Sequence, residues 1–457
     1  MGLKFPLPRA TCHLTRNLLS LKKIYGVISL KEYLGAKKII EKKREYIMPC
    51  LGHFYSDPPQ FVRGEMQYLF DTTGKKYLDC YAGVSVINCG HCNPFITSRM
   101  IEQIKTLQHV CNIYLTENFV NLAERLAEVA PGDLQKSFFC STGTEANEGS
   151  LLLASIYTKS SEFIALQSGL HGRTKLTMSL TGIGMWRTDP QPVGGINFAP
   201  NPYCYRCPLG KKYPECDLEC ANKIETIIQS ATSGRPAALI AEPIQGNAGI
   251  VVPPKNYFKR VKEILEKYGA LLISDEVQTG FARSGKMFAI ENFDVTPDIM
   301  SVAKALGNGQ PISAFISTKK IADTYTRPGA STLGGNPVSS TAGLAVLDYI
   351  KENNLMENAK ARGEQLMNGL KLLQKKFPII GDVRGIGLMV GAEFVHADKS
   401  PAFRELDELL EELKNRGFIV GKNGVGRNVL AFQPPLVITE KDIDDVLNAI
   451  EMILERK

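Results

Sequence analysis

The stretch LLISDEVQTGFARSGK, residues 271–286, contains an apolar run of strand length that ends in Asp275 and Glu276. The apolar residues are continuous and do not alternate with polar ones, which is typical of a strand covered on both faces. Adjacent side chains of a strand point to opposite faces, and an acid that becomes buried there requires a cationic partner. The stretch therefore predicts a core strand of a parallel sheet, with either a functional acid or a structural ion pair at its end.

The regions around this strand alternate between helical and strand-like patterns from about residue 94 to residue 345. Helical stretches are predicted at Pro94–Leu107, Glu117–Val129, Asn222–Ser230 and Lys255–Tyr268. Short apolar runs are found at Lys136–Cys140, Glu162–Leu166, Ala237–Ile240, Ala270–Ser274, Ile299–Val302 and Ile312–Ser317. Such alternation predicts an α/β fold with a large, mostly parallel sheet that is flanked by helices.

The segments on either side of this region predict a smaller α+β domain. An antiparallel meander is expected within residues 60–79. Near the end of the chain, one long helical segment at 338–376 precedes strands near 386–394, 418–421 and 428–433 and helices at 402–416 and 440–455. The predicted domains are an N-terminal extension with a helix at 1–48, the meander part of the small domain at 49–93, the large domain at 94–345 and the C-terminal part of the small domain at 346–457.

The composition is that of an ordinary globular protein, with 44% hydrophobic and 22% charged residues among 457. The net charge of +7 is uneven, because residues 1–50 carry +8 and the remaining 407 residues carry −1. A nucleic-acid-binding body would have a basic face of its own, so no nucleic-acid partner is expected. No apolar run approaches the roughly 18 residues of a membrane span, so no membrane partner is expected.

The basic start of the chain allows two interpretations. Residues 1–31 contain six basic residues and no acid, which is a composition typical of an organelle transit peptide. However, serine is scarce, and Pro6 and Pro8 interrupt any early helix. A cytoplasmic location is therefore expected, and organelle targeting is the alternative.

Four of the 11 cysteines cluster in one proline-containing segment. Cys204, Cys207, Cys216 and Cys220 have the spacing C-x2-C-x8-C-x3-C, and four thiolates at such spacings could hold zinc or an iron–sulfur cluster. The pattern matches no standard zinc motif, so a loop whose cysteines merely pack is the alternative. A metal-dependent nucleic-acid-binding module is accordingly one hypothesis for function, although the neutral body of the chain disfavours it.

An anion site is predicted where FFCSTGTEANEGSLLLA, residues 138–154, passes from an apolar strand into a helix. Free backbone N–H groups and the positive end of the helix meet at Ser141–Thr144. Gly143 lets the backbone approach a ligand closely, and the neighbouring hydroxyls add hydrogen-bond donors. A capped helix start that binds no ligand would explain this motif equally well.

Two further motifs supply a lysine and a hydroxyl. DIMSVAKALGNGQPIS, residues 298–313, places Lys304 after an apolar strand, where desolvation lowers the pKa of the amine and makes it a nucleophile. GASTLGGNPVSS, residues 329–340, places Thr332 beside a tight turn. Alone these are a surface lysine and a turn. Together with the strand-end acid and the anion site, they supply what pyridoxal 5′-phosphate requires: a phosphate site, a carboxylate for the ring nitrogen and a Schiff-base lysine.

At these motifs the sequence resembles the class III, fold type I aminotransferases, which use pyridoxal 5′-phosphate. The resemblance covers nearly all of residues 50–455, including YLDCYAGVSVINCGHCNP (77–94), AEPIQGNAGI (241–250) and DVRGIGLMVG (382–391). The cysteine-bearing insertion is similar to that of the alanine–glyoxylate aminotransferase 2-like branch, which is close to the 4-aminobutyrate aminotransferases. The resemblance implies a large sheet of the seven-stranded type and a homodimer or dimer of dimers with active sites at the subunit interface.

The resemblance also implies roles for individual residues. Lys304 would form the Schiff base and move the proton, and Asp275 would pair with the ring nitrogen. The other implied cofactor contacts are Gly143 and Thr144 at the phosphate, Thr332 at the phosphate of the neighbouring subunit, Val277 and Gln278 at the ring, and Leu170, His171 and Glu242 close by. Val84 and Arg173 are the implied substrate contacts, with Arg173 matching the arginine that binds the distal carboxylate in 4-aminobutyrate enzymes.

Three positions depart from the family pattern. Leu170 stands where an aromatic residue usually stacks on the ring. Ala431 and Asn247 replace the arginine and the partner glutamate found in relatives that use 2-oxoglutarate. The expected activity is therefore transfer of an amino group from 4-aminobutyrate, β-alanine, β-aminoisobutyrate or alanine to pyruvate or glyoxylate. An amino-acid racemase or a phospholyase is the alternative within the family.

Overall fold

The computed structural model describes residues 33–456 and divides the chain into two compact units between Gln60 and Phe61. The first unit contains helix α1 (Ala36–Tyr46), within the region 28–47 where a helix is predicted. The basic residues 1–31 fall outside the described residues, so the targeting hypothesis stays a prediction. None of the helices in residues 33–456 is long and apolar enough to cross a membrane.

The second unit begins with the predicted antiparallel meander. Its strands are β1 (Phe61–Glu65), β2 (Tyr68–Asp71) and β3 (Lys76–Asp79). A short helical turn, α2 (Ala82–Ser85), follows, and all four of its residues have positive φ angles. Two backbone N–H groups at the start of this turn, those of Tyr81 and Ala82, donate to Oδ1 of Asp79, which holds the turn against the end of β3.

A seven-stranded sheet confirms the predicted α/β architecture. Its strands are β4 (Leu134–Cys140), β5 (Phe163–Leu166), β6 (Ile196–Ala199), β7 (Ala238–Ala241), β8 (Leu271–Asp275), β9 (Ile299–Val302) and β10 (Ser313–Thr318). They lie in the order β4-β10-β9-β8-β7-β5-β6, and only β10 runs antiparallel to its neighbours. The sheet is therefore mostly parallel. Sequence patterns did not predict β6, an edge strand with three half-buried residues out of four.

Helices flank this sheet and complete its hydrophobic core. They are α3 (Pro94–Thr106), α4 (Glu117–Val129), α5 (Gly143–Thr158), α6 (Lys175–Ser179), α7 (Glu219–Ala231), α8 (Tyr257–Lys267), α9 (Lys319–Ala322) and α10 (Pro337–Glu352). Strand residues such as Ile240, Ile273 and Phe315 pack with residues of α5 in one buried cluster. Each such aliphatic or aromatic side chain contributes roughly 1.5–3 kcal/mol through burial, so the strands that carry the site have a rigid base.

The C-terminal part forms a second small sheet with its own helices. The elements are α11 (Leu355–Lys376), β11 (Ile380–Ile386), β12 (Met389–Phe394), α12 (Phe403–Asn415), β13 (Phe418–Ile419), β14 (Gly421–Asn423), β15 (Val429–Phe432) and α13 (Glu440–Leu454). The sheet order is β11-β12-β15-β14. Strand β13 instead pairs with β3, so N-terminal and C-terminal segments share one sheet, as expected of a small domain built from both.

In this part, one sequence-based prediction is wrong and one strand was not predicted. The single helical segment predicted at 338–376 is two helices, α10 and α11, because Asn354 adopts a left-handed conformation (φ +50°) that asparagine tolerates well. The strand predicted at 386–394 corresponds to β12, but its hairpin partner β11 was not predicted. Gly387, with φ +57°, lies in the turn between those strands, where a side chain would be strained.

Candidate active site

A cavity of about 380 Å³ opens at the edge of the large sheet where the parallel strands end. Glu242 directly follows β7, Asp275 ends β8 and Lys304 follows β9. Neighbouring parallel strands present their carboxyl ends at the same edge, which explains why all three residues line this cavity. The other predicted residues that line it are Gly143, Thr144, Leu170, His171, Arg173, Val277 and Gln278.

Asp275 is held by three hydrogen bonds and is only 3% exposed. Its Oδ2 accepts from Nδ1 of His171 and from Nδ2 of Asn147, both at 2.8 Å. Its Oδ1 accepts from the backbone N–H of Val277 at 3.1 Å. Burial alone disfavours a charged carboxylate, but three donors favour it. The arrangement therefore suits a carboxylate that faces a cationic group.

Lys304 lies on the short 3₁₀ turn Lys304–Gly307, immediately beyond β9. Burial lowers the pKa of its ammonium group, although the negative charges of Asp275 and Glu242 act in the opposite direction. A lowered pKa increases the fraction of neutral amine, which is the nucleophilic form. The local environment of Lys304 thus favours covalent attachment to a carbonyl compound.

Glu242 is a buried acid on the other side of the Asp275 strand. Burial raises the pKa of Glu242 to about 7, and the nearby charge of Asp275 also raises it. Two backbone N–H groups, those of Leu170 and Gly246, donate to its carboxylate at 2.9 Å each and act in the opposite direction. Glu242 can therefore change its protonation state near neutral pH.

An anion cradle lies at the start of α5. Thr142 and Glu145 form a capping box, in which the side chain of each accepts a hydrogen bond from the backbone N–H of the other. The N–H groups of Gly143 and Thr144 also belong to the first turn and have no carbonyl partner within the helix. A Cβ on Gly143 would lie 2.7 Å from a methyl carbon of Val277, so only glycine leaves room here.

Arg173 lies at the mouth of the same cavity, with an exposed side chain. Its backbone N–H donates to Oγ1 of Thr144 at 3.1 Å, which ties the arginine loop to the start of α5. Half-buried Asn247 lines the cavity as well, at the position where a glutamate was expected in 2-oxoglutarate-using relatives. The cavity therefore places a cation at its mouth and a nucleophilic lysine in its wall.

A family model described as aminotransferase class-III matches residues 56–454 of the chain. The chain belongs to this family. It is 40% identical over 428 residues to alanine–glyoxylate aminotransferase 2 homolog 2, mitochondrial, of Arabidopsis thaliana, covering 92% of this chain and 88% of that protein. It is 38% identical to the leucine/methionine racemase of Thermococcus litoralis, covering 91% of this chain and 95% of that protein.

Solved structures of transaminases have the same fold. A Bacillus anthracis aminotransferase superposes with a TM-score of 0.86 at 32% identity, covering 92% of this chain and 98% of that chain. An amine transaminase from an uncultivated Pseudomonas species, in the PLP-bound internal aldimine form, superposes with a TM-score of 0.84 at 30% identity, covering 90% of this chain and 98% of that chain. Both relationships support the assignment of this chain as a class III aminotransferase.

Class III aminotransferases use pyridoxal 5′-phosphate, and this is the cofactor of the present enzyme. The cavity fits it in three respects. Gly143 and Thr144 line the cavity from the first turn of α5, where backbone N–H groups have no carbonyl partner within the helix and can bind a phosphate. Asp275 presents a hydrogen-bonded carboxylate, and Lys304 an amine of lowered pKa, within the same space.

Two predicted contacts lie away from the cavity of this aminotransferase. Val84 does not line the cavity, whereas its neighbour Val86 does. Val84 packs instead in a cluster with Tyr81, Met389 and Ala431. The β-branched Val84 has φ +68°, and this unusual backbone places its side chain against the C-terminal small sheet.

Thr332 is exposed and does not line the cavity of its own chain. That position is compatible with a contact to a neighbouring subunit, and its predicted role in a second active site stays a prediction.

The four clustered cysteines line a separate, small cavity. All four are free thiols. Across residues 33–456, no group of three or more His, Cys, Asp or Glu side chains is arranged to hold a metal ion. The four cysteines therefore lie around one cavity but are not arranged as a metal site, and the packed-loop interpretation fits the described residues better.

Sequence reasoning missed several polar residues that shape the site. Asn147 contacts Asp275, and Asn308 joins the lysine turn to the meander segment, accepting from the N–H of Cys89 (2.9 Å) and donating to the carbonyl of Gly90 (3.0 Å). Asn147 lies in the motif FFCSTGTEANEGSLLLA, on a helix face of otherwise small or apolar residues. A polar residue on such a buried face is a signal that could have indicated it.

Proposed function

We propose that the enzyme transfers an amino group from an amino acid with a distal carboxylate, such as 4-aminobutyrate, β-alanine or β-aminoisobutyrate, or from alanine, to pyruvate or glyoxylate. One observation carries the proposal: the exposed cation of Arg173 and the amine of Lys304 line the same cavity. A substrate whose carboxylate binds at the mouth would extend its amino group toward Lys304.

The residues of the chain have distinct tasks in this reaction. Bound pyridoxal 5′-phosphate supplies an electron-withdrawing ring that stabilises negative charge at the substrate carbon. Asp275 would pair with the ring nitrogen and favour its protonated state. Lys304 would hold and move a proton at its amine, next to the substrate carbon that bears the nitrogen. The first turn of α5 would hold the phosphate group.

The proposed oxoacid acceptor follows from the residues at positions 431 and 247. Ala431 is fully buried on β15, between Gly391 and Gly421 of the neighbouring strands. Asn247 lines the cavity but carries no charge. The arginine that binds 2-oxoglutarate in related enzymes, and the glutamate that holds this arginine, are thus both replaced. A small oxoacid does not need a second cationic contact, which favours pyruvate or glyoxylate.

We propose a homodimer, or a dimer of dimers, in which Thr332 reaches the phosphate of the neighbouring subunit. The loop that carries Thr332 lies beside the loop around Cys111, because Sγ of Cys111 donates to the carbonyl of Ser331. The exposed apolar side chains of these loops are Ile113, Tyr114, Leu115 and Leu333. Exposed apolar side chains grouped on neighbouring loops are typical of a subunit interface. Light scattering of the purified protein would give the mass, and a monomeric mass would contradict the proposal.

A racemase is a second candidate, favoured by the 38% identity to the leucine/methionine racemase. A phospholyase from Arthrobacter, which superposes with a TM-score of 0.84 at 29% identity, marks a third activity within the fold. A single-turnover experiment with the amino donor alone separates the first two. A transaminase retains the amino group on its cofactor and releases an oxoacid, whereas a racemase releases the enantiomer of the amino acid.

The deciding experiment is a panel of amino donors assayed against pyruvate, glyoxylate and 2-oxoglutarate. We expect the highest kcat/KM with 4-aminobutyrate, the β-amino acids or alanine as donor, and with pyruvate or glyoxylate as acceptor. Efficient use of 2-oxoglutarate together with poor use of both small oxoacids would contradict the substrate proposal. It would leave the family assignment intact.

A further inference from the structure

We propose that Asn147 and Ser301 are positioning residues that orient Asp275 toward the ring nitrogen of the cofactor. The proposal rests on the cofactor of the family and not on the choice of substrate. It adds two residues, Asn147 of a helix and Ser301 of a strand, that act on Asp275 and not on the substrate.

The four residues Ser301, Asn147, Asp275 and His171 form one buried hydrogen-bonded chain, called here the carboxylate chain. Ser301 lies on β9 next to Asp275 of β8, and its hydroxyl donates to Oδ1 of Asn147. Nδ2 of Asn147 donates to Oδ2 of Asp275 at 2.8 Å and to the carbonyl of His171 at 2.7 Å. None of the four side chains is more than 3% exposed.

Ser301 supports one orientation of the Asn147 amide. An amide can be rotated so that its oxygen and nitrogen exchange places. Two acceptors, Oδ2 of Asp275 and the carbonyl of His171, require the NH2 group on their side, and the Ser301 hydroxyl then donates to the Oδ1 on the other side. The reverse orientation would place two acceptor oxygens, one of Asn147 and one of Asp275, against each other. Ser301 therefore acts through Asn147, without touching Asp275 through its own side chain.

The carboxylate chain leaves one oxygen of Asp275 for the cofactor. Oδ2 already accepts two hydrogen bonds, from Asn147 and His171. Oδ1 accepts one, from the backbone of Val277, and a carboxylate oxygen can accept two. Among the described residues, Oδ1 is thus the Asp275 oxygen with capacity for the N–H of a protonated ring. Without Asn147, the carboxylate could rotate, and Oδ1 would no longer be the oxygen that faces the ring N–H.

His171 completes the chain at its other end. Its Nδ1 pairs with Asp275, while its buried Nε2 has no hydrogen-bond partner among the described residues. The proton of the imidazole therefore belongs on Nδ1, where it has an acceptor. The other charged groups facing Asp275 are Lys304 and Glu242, from the ends of β9 and β7.

The test compares Asn147→Leu, Ser301→Ala and the matched control Ser150→Ala. Ser150 is a buried serine of α5 whose hydroxyl donates to the carbonyl of Ala146, outside the carboxylate chain. Three quantities are measured for each holoenzyme or reconstituted protein: the Kd of pyridoxal 5′-phosphate, the pH dependence of the absorbance of the bound cofactor, and kcat with KM for the preferred donor.

Loss of a hydrogen bond to a charged group predicts a ~10- to 100-fold higher cofactor Kd for Asn147→Leu, since such bonds contribute about that factor. We also expect a lower kcat with little change in KM, and an altered pH midpoint of the cofactor absorbance. Ser301→Ala should change the same three quantities in the same direction, by less. Ser150→Ala should leave them at wild-type values.

The proposal is overturned if Asn147→Leu and Ser301→Ala keep the wild-type Kd, kcat and pH midpoint, even if their melting temperatures fall. A purely structural role would lower the melting temperature of all three variants alike. If Asn147→Leu does not fold, Ser301→Ala decides the matter alone, because it leaves Asn147 and the fold of α5 in place.

Discussion

The inner wall and the mouth of the cavity differ in how completely their polar groups are satisfied. On the inner wall, Asp275 and Glu242 are buried and receive several hydrogen bonds from strand ends and loops. At the mouth, the exposed Arg173 is held only through its backbone, and half-buried Asn247 is uncharged. The wall is therefore preorganised, whereas the mouth is adaptable.

We expect this difference to separate two properties of the enzyme, the function of the cofactor and the choice of substrate. We propose that the wall determines whether the cofactor works at all, and that the mouth determines which amino acid and oxoacid are used. The relatives are consistent with this division, since proteins named as aminotransferases and as a racemase share 38–40% identity with the chain. Changes in the wall should lower activity toward every substrate equally. Changes at the mouth should alter the ratio between substrates.

The largest effect is expected from Lys304→Ala. Without the amine there is no covalent attachment and no group to move the proton, so kcat should fall by ~10⁴-fold for all donors. Borohydride reduction followed by mass measurement of the protein would detect the missing covalent cofactor. The control Lys259→Ala removes an exposed lysine of α8 and should behave as wild type. Retention of covalent cofactor in Lys304→Ala would assign the Schiff base to another lysine.

Asp275→Asn should have the next largest effect. The amide keeps the shape of the side chain but removes the charge that stabilises a protonated ring, so kcat should fall by ~10²- to 10³-fold, as for other preorganised electrostatic contacts. The loss should be the same for 4-aminobutyrate and alanine. The exposed Asp133→Asn is the control. A loss confined to one donor would place Asp275 among the substrate contacts and would blur the division between wall and mouth.

Glu242→Gln should change the pH dependence of stability in the cofactor-free protein. The folded-state pKa of Glu242, about 7, lies above its ordinary value of 4.5, so the folded state binds more protons between these values. Stability therefore falls as pH rises from 4.5 to 7, by roughly 3 kcal/mol from this group. The Glu242→Gln variant should not show this decrease in stability.

Urea unfolding gives the free energy of unfolding at pH 5 and at pH 8. The change between the two pH values is then compared between Glu242→Gln and the wild type. The amide cannot accept both backbone N–H groups, and this adds a cost that is independent of pH and cancels in the comparison. The exposed Glu263→Gln, on α8, should show the wild-type pH dependence. An equally steep fall in Glu242→Gln would show that Glu242 stays ionised in the folded protein.

Arg173→Gln should have the smallest effect on the enzyme as a whole and the largest on selectivity. Loss of a charge-assisted hydrogen bond predicts a ~10- to 100-fold higher KM for 4-aminobutyrate. The KM for alanine, which has no distal carboxylate, should change much less. Steady-state kinetics with both donors measure this, with Arg235→Gln, another exposed arginine, as the control. Equal losses for both donors would contradict the proposed carboxylate contact.

Strand patterns identified the wall well, because a buried strand that ends in a charged residue is an uncommon combination. Asp275, Lys304 and the start of α5 were located in this way, and the family resemblance connected them. Asn147 and Ser301 could not be paired from sequence, since their contact depends on the register of β8 and β9 and on how α5 packs. The position of Val84 away from the cavity could not be foreseen for a similar reason, because a β-branched residue at φ +68° follows no sequence rule. Its substrate contact stays a prediction.

Two further features of the fold could not be predicted from the sequence. The break between α10 and α11 depends on the left-handed conformation of Asn354, and asparagine is found inside helices as well. Strand β6 has a weak apolar pattern because it lies at the edge of the sheet. In both cases, tertiary packing decides between conformations of similar local energy.

The close contact between Gly143 and Val277 has an evolutionary consequence. The loops after β4 and β8 touch at this point, and any larger side chain at position 143 would have to displace Val277. Substitutions at these two positions are therefore not independent: a chain could accept a bulkier residue at one of them only after a smaller one appeared at the other. We expect positions 143 and 277 to covary among related sequences. We expect the residues at positions 173 and 247 to differ between relatives that use different substrates.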